Sequence, residues 1–363
     1  MSGRDPGPWV VVVGMHRSGT SAVTGAIGAL GFNLVSAQDR LSPHESNPEH
    51  WESLSVLLHN DDILAHFGAT WDAPPQLPEG WENDKALPDR TAPSALLAAA
   101  YPHPGPSVWK DPRVCLLLPY WREVLQTPMA AVVVWRDPLA VARSLQRRNG
   151  TSLPYGVALW ERYNRSAIAN LARTDTYVLD YDAMVEDPAS SLSELASWLA
   201  STGTFEGMGA WNHDDALSVV TADLRHEPVG TSDDSDRIVL DEQRRLVQHL
   251  TELAGGHRTL PPVPFDESPW TEAMFDARRS SNPLESKQLE HSNAQRDWYA
   301  SALADTHADL AAARVDLDAA RAELVGARGD VAGLKASTSW RITAPVRSAA
   351  ALWAASRDRR LKG

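Results

Sequence analysis

The chain has 363 residues, 43% of them hydrophobic and 22% charged. That is ordinary globular composition, and at ~150 residues per domain it implies two to three structural units. Lys+Arg 34 against Asp+Glu 47 gives a formal charge of −13, which excludes the broad basic surface that non-specific nucleic-acid binding needs. The single cysteine, Cys115, excludes an internal disulfide and a Cys-rich zinc module, and reads as a reduced, intracellular chain.

In chain order, the first apolar run is Trp9–Val13. It is too short for a signal segment or a membrane span and reads as a buried strand. The glycine-containing loop after it opens a helix whose Ala22, Val23, Ala26, Ile27 and Leu30 share a face, with Gly31 at the C-terminal capping position. Residues 71–107 are rich in Pro and Trp, with one helical pattern at Ala92–Ala100, and are expected to form an inserted loop region. Ala130–Trp135 predicts a second buried strand. Asp137-Pro138 then supplies an N-cap and a proline at N1 for a helix through about Arg148. Helices over Tyr155–Ala172 and Ser190–Ala200 flank a third strand, Thr176–Tyr181. Strand alternating with helix predicts an α/β domain of three layers around a central parallel sheet, P-loop-like, over residues 1–258.

Residues 203–239 and 259–283 lack such periodicity, and Pro261, Pro262, Pro264 and Pro269 mark the latter as a linker. Beyond it, over 284–335, Leu303, Leu310, Leu317, Leu324 and Val331 recur every seven residues, with Thr306, Ala313, Ala320, Ala327 and Leu334 three places later. That is the seam of a self-associating coiled coil and implies a homo-oligomer. Over 336–363 a basic tail interleaves Arg341, Arg347, Arg357, Arg359, Arg360 and Lys362 with Trp340, Ile342, Val346, Leu352 and Trp353, a composition suited to peripheral contact with an anionic membrane over 340–363. Charge divides accordingly. Residues 284–363 hold 12 basic and 10 acidic side chains, so the part before them is near −15 and the tail near +2. An anionic ligand of the front part must therefore be held by a few placed cations.

The strongest chemical signal is Gly14-Met15-His16-Arg17-Ser18-Gly19-Thr20-Ser21 at the end of the first strand. A strand feeding a glycine loop that opens a helix converges backbone N–H groups and the positive end of the helix dipole on one point, suiting a phosphate or similar oxyanion. The spacing approaches that of an ATP-binding loop, yet Thr20 stands where that loop needs lysine, and the cation is Arg17. Trp135 is followed by Arg136, while Asp137 is explained as the helix cap, so the carboxylate that would hold magnesium is not where an NTPase has it. The histidines form no metal-ligand pattern, and no metal is expected.

This loop, together with Val134-Trp135-Arg136-Asp137-Pro138 and Ser144 eight residues after the arginine, resembles the sulfotransferases that use 3′-phosphoadenosine 5′-phosphosulfate (PAPS). The resemblance spans roughly residues 9–200 and implies PAPS as co-substrate. It implies that Arg17, Ser18, Gly19, Thr20 and Ser21 hold the 5′-phosphosulfate, that Arg136 and Ser144 hold the 3′-phosphate, and that Tyr181 lies near the adenine. Lys110, in Trp109-Lys110-Asp111-Pro112-Arg113, is similar to the lysine that stabilises the transferring group in tyrosylprotein-type members. Asn47-Pro48 and Trp51-Glu52 fit a signature of bacterial relatives and make Glu52 the first candidate for the base and His50 the second, with His44 and Glu45 in the same segment.

Trp51, Trp71, Trp81 and Trp109 are candidates to stack on an acceptor, with core packing as the alternative. Ser337-Thr338-Ser339-Trp340-Arg341-Ile342-Thr343-Ala344-Pro345 resembles a terminal signature of some bacterial cell-envelope glycosyltransferases. It implies an envelope glycan or glycolipid acceptor, modified in the cytoplasm at the inner face of the membrane. The competing readings are a small-molecule or nucleotide kinase, and a non-catalytic assembly protein.

Overall fold

A computed structural model of the protein describes residues 7–41, 51–87, 91–125, 127–205, 216–217, 238–280, 314–315, 317, 319–343 and 345. The chain divides into two compact units, Met1–Ser292 and Asn293–Gly363.

In the first unit a five-stranded sheet has β1 Trp9–Val13, β2 Ser107–Lys110, β3 Met129–Trp135, β4 Thr176–Asp180 and β5 Gly255–His257, in the order β2-β1-β3-β4-β5. The first four are parallel, and β5 runs antiparallel to β4. The expected wholly parallel sheet thus gains an antiparallel edge. β5 is three residues, two of them glycine, and a Cβ at Gly256 would lie 2.1 Å from the Trp198 ring. It therefore carries none of the β-branched patterning by which a strand is read.

Both faces of the sheet are covered, and the strand sequences divide between them by alternation. Val11, Val13, Ala131 and Val133 enter one core with α2 (Leu54–His66), α4 (Val114–Leu125) and α6 (Leu153–Asn170). Val10, Val12, Ala130, Val132 and Val134 enter the other with α1 (Thr20–Ala29) and α8 (Pro188–Ser201). This is a three-layer α/β arrangement. Trp109, Trp121 and Trp160 are fully buried in the first core.

α5 (Pro138–Asn149) starts as its sequence dictates: Asp137 accepts a hydrogen bond from the Ala140 N–H at 2.8 Å, and Pro138 takes N1. At its far end Gly150 adopts φ 70° and donates to Gln146 O. α7 (Tyr181–Glu186) is capped by Asp180, so Tyr181 is the first residue of a helix rather than the last of a strand.

Two stretches depart from expectation. Residues 71–107 carry the expected helix as α3 (Thr91–Ala100), but also a 3₁₀ turn at Trp81–Asn83, and they end by entering edge strand β2. The proline-rich stretch 259–283 does not behave as a linker over its described part. After α9 (Asp241–Glu252) and β5 it forms α10 (Pro269–Ser280), packed on α6, with Leu260 and Phe275 buried. Polar contacts fix it there. The buried Glu161 carboxylate accepts from Gln243 Nε2 at 3.1 Å, Thr271 Oγ1 at 2.7 Å, the Ser268 N–H at 2.9 Å and Arg165 Nε at 3.1 Å, while Arg162 pairs with Glu267 at 2.7 Å and with Glu272. The prolines shape the path of a packed segment, and Pro269 starts its helix.

In the second unit residues 319–336 are helical, and Ser337 then accepts from the Trp340 N–H at 3.2 Å to cap Thr338–Ile342. Leu317, Leu324, Val331 and Leu334 are exposed. The rest of the expected seam, and the tail beyond residue 345, lie outside the described residues. No helix of the described residues is long and apolar enough to cross a membrane.

Candidate functional site

Four parallel strands put four carboxyl ends along one edge of the sheet, where open α/β sheets bind ligands. Lys110 ends β2, the loop from Gly14 follows β1, Arg136 follows β3, and Tyr181 follows β4.

The loop is tightly bound to its surroundings. Gly14 leaves no room for a side chain, since a Cβ would lie 2.2 Å from Val134 O, and its N–H donates to Cys115 Sγ at 3.1 Å. Burial pushes the Cys115 thiol up to about 12, so it packs as an inert support. Arg17 is the one described non-glycine residue with positive φ, at 71°. Gly19 follows at φ 90°, where a Cβ would lie 1.9 Å from the Tyr181 ring. α1 then begins with no side-chain cap and no acidic residue in its first turn, so its first N–H groups and its dipole face the strand end. Ser18 Oγ is buried there and has no hydrogen-bond partner among the described residues. A buried hydroxyl lacking a partner beside a helix N-terminus fits an oxyanion that would supply its acceptor.

The structure groups the expected residues in three places. Arg17 Nε donates to Ser144 Oγ at 2.9 Å, joining the first loop to α5. Lys110 Nζ, almost fully buried, donates to Glu52 Oε1 at 2.5 Å and to Ser21 Oγ at 3.1 Å. Arg136 pairs through Nε with Asp182 Oδ1 at 3.3 Å and lies 5.2 Å over the Tyr181 ring, the ring that also backs Gly19. Its backbone carbonyl accepts from Trp160 Nε1 at 2.9 Å. Thr20 heads α1, its carbonyl accepting from Thr24 Oγ1. Ser144, which the resemblance couples to Arg136, is hydrogen-bonded here to Arg17. His50, His44 and Glu45 lie outside the described residues.

Other residues of the site gave little sign in the sequence. Asp111, next to Lys110, accepts from Asn60 Nδ2 at 2.9 Å and from the Arg113 N–H at 2.9 Å. Burial raises its carboxyl pKa, and Arg113 opposes the rise. Arg113 pairs with Asp61 at 2.6 Å. Trp121 Nε1 donates to Asn60 Oδ1 at 2.6 Å, which ties this network to the core. His16 is buried with Nε2 unpartnered among the described residues. Its pKa is held well below 6.5, first by burial and then by Arg113, Arg148, Lys110 and Arg17, so the imidazole is neutral. Arg17 is itself shifted down by burial and by Arg148, Arg147 and Arg136.

Although the front part is acidic overall, Arg17, Lys110, Arg136, Arg147 and Arg148 lie in or beside these motifs. Of the tryptophans proposed to meet an acceptor, Trp109 and Trp81 are buried in the core and unavailable for stacking. Trp51 lies under Arg40 at 4.9 Å. Trp71 is half-buried, with its ring 4.7 Å from His16 and 5.5 Å from the Arg148 guanidinium.

No protein-family model and no curated protein matches the chain. Among solved structures it is similar to a sulfotransferase domain from the curacin biosynthetic pathway, with 18% identity over 69% of this chain and 99% of that one and a TM-score of 0.35. It is also similar to the sulfotransferase domain of a Synechococcus olefin synthase, with 18% identity over 76% and 95% and a TM-score of 0.36. For a sulfotransferase from Mycobacterium avium the identity is 14% over 62% and 69%, with a TM-score of 0.36. These overlaps are loose and decide neither activity nor site. What fold and site together define is an α/β protein with a glycine loop suited to an oxyanion at the carboxyl edge of a mainly parallel sheet.

Proposed function

We propose that this chain is a PAPS-dependent sulfotransferase acting on a hydroxyl or amine, with a cell-envelope glycan or glycolipid as the acceptor class. The observation that carries the reading is the joining of Lys110, Glu52 and Ser21 at 2.5 and 3.1 Å beside a loop whose Arg17 reaches Ser144. A sulfuryl donor with two anionic ends needs two separated cradles. The Gly14–Ser21 loop with α1 is assigned the first, and Arg136 with Ser144 the second, with Tyr181 near the adenine.

Each residue then has a physical task. The N-terminus of α1 and Ser18 hold the phosphosulfate end. Arg17, which does not deprotonate, neutralises charge on the bridging oxygen. Lys110 is a cation for the oxygens of the group in transfer, and its contact orients the Glu52 carboxylate. As the acceptor oxygen bonds to sulfur, its proton passes to Glu52, the bond from sulfur to the phosphate oxygen breaks, and adenosine 3′,5′-bisphosphate leaves.

The kinase reading loses support on one observation: Asp137, the first carboxylate after β3, is engaged with the Ala140 N–H. We also propose that the chain self-associates through 284–335 and contacts the cytoplasmic face of the membrane through 340–363.

Thermal unfolding with adenosine 3′,5′-bisphosphate against ATP-magnesium tests the nucleotide. The bisphosphate is expected to raise the melting temperature, and a rise with ATP-magnesium alone would overturn the reading. Glu52→Ala should lower labelled sulfuryl transfer about 10²- to 10⁴-fold with bisphosphate protection intact, whereas Arg136→Ala should weaken that protection.

A further inference from the structure

Arg148 stands apart from the other cations of the site. Lys110 has Glu52, Arg113 has Asp61, and Arg136 has Asp182, but among the described residues no carboxylate pairs with Arg148. Its Nε donates to Asn149 Oδ1 at 2.9 Å, and its guanidinium lies 5.5 Å over the Trp71 ring. The backbone that carries this ring is anchored, because the Trp71 carbonyl accepts from Tyr163 OH at 2.7 Å. A guanidinium placed over an indole with its Nε engaged keeps the Nη1/Nη2 edge for a planar or tetrahedral oxyanion.

The second feature is a histidine on the same ring. His16 meets the same Trp71 ring at 4.7 Å, is 8% exposed, and has an Nε2 without a partner among the described residues. A buried ring nitrogen without a partner costs free energy unless a ligand completes its hydrogen bonds. His16 and Arg148 act on each other electrostatically, and Arg148 and Glu52 do so as well. Trp71, Arg148 and His16 therefore form one group within electrostatic reach of the proposed base.

We infer that the acceptor already carries a negative charge, a carboxylate or a phosphate, and that Arg148 on its Trp71 platform binds that group, with His16 Nε2 as a neutral second partner. This inference rests on the sulfotransferase reading and names the acceptor's chemical class. The rationale is charge balance: a cation at the site that the donor's two cradles do not use is matched by an anion on the other substrate.

The test incubates the full chain with ³⁵S-labelled PAPS and a bacterial envelope extract, removes the transferred sulfate by mild acid, and applies the recovered acceptor to an anion exchanger. The acceptor is expected to bind the exchanger still. Phosphatase abolishes that binding if the charge is a phosphate monoester, and carbodiimide amidation abolishes it if the charge is a carboxylate. With the purified acceptor, Arg148→Gln should raise KM about ten- to a hundred-fold, the loss of one charge-assisted contact. It should leave kcat within about threefold and bisphosphate protection unchanged, and Arg148→Lys should recover part of the affinity.

Label on an acceptor that is neutral after desulfation, or an unchanged KM in a folded Arg148→Gln protein, overturns the inference and leaves the sulfotransferase reading standing. No label on any acceptor overturns both.

Discussion

Gly19 shows how closely the loop is specified by single atoms. Its φ of 90° is open to glycine at little cost, and the Tyr181 ring occupies the place where a Cβ would stand, 1.9 Å away. Gly31 has a similar φ of 104°, but nothing lies within 4 Å of its missing Cβ. Comparing the two alanine variants separates backbone strain from the clash. Gly31→Ala should cost about 1–3 kcal/mol of stability from strain alone. Gly19→Ala should add about 1–3 kcal/mol for the displaced ring, and should lose bisphosphate protection because Tyr181 also carries Arg136. Urea unfolding of both variants checks this, and equal losses would show that the ring yields freely. The motif spacing made Gly19, Arg17 and Arg136 legible as site residues. The resemblance also named Tyr181, but the contacts of its ring with Gly19 and Arg136 exist only once β1, β3 and β4 lie side by side.

Elements were legible where burial is complete and the pattern unbroken. β1 and β3 read directly from their valine runs, and α5 from Asp137-Pro138 and Gly150. β2 did not, because Ser107-Val108-Trp109-Lys110 ends on a lysine whose burial makes sense only with Glu52 beside it. α10 was hidden by the prolines before it, which mark chain direction but say nothing of packing.

Its contribution can be measured. Phe275 is fully buried, edge-on to Tyr155 at 5.5 Å and under Arg162 at 5.1 Å. Phe275→Ala should cost about 3–5 kcal/mol, and a chain ending at residue 258 should unfold at clearly lower denaturant than one ending at 292. If the shorter chain matched the longer in midpoint and slope, 259–283 would be a linker after all. The Trp71–Arg148–His16 group was illegible for a different reason. Each residue alone is ordinary, and only the approach of the segment after α2 to the end of α5 makes them a set.

At the scale of the molecule, the charge divides close to where the two compact units do: residues 1–283 are near −15 and residues 284–363 near +2, and the first unit ends at Ser292. The described helix of the second unit exposes Leu317 at 51%, Leu324 at 52%, Val331 at 48% and Leu334 at 61%. A helix alone in water does not hold such a stripe cheaply, and each apolar side chain that a second copy covers contributes roughly 1.5–3 kcal/mol. Gly326, Gly329 and Gly333 oppose this at about 1 kcal/mol each, so the assembly should be concentration-dependent rather than permanent. Sedimentation equilibrium should therefore give a mass above 39.6 kDa that falls towards that value on dilution. Leu317→Asp with Leu324→Asp should hold the chain at the monomer mass, and replacing the three glycines by alanine should strengthen association. Bisphosphate protection should be the same in all three proteins, because none of these residues belongs to the first unit. A wild-type chain that stays monomeric at tens of micromolar would mean that the seam serves some purpose other than self-association.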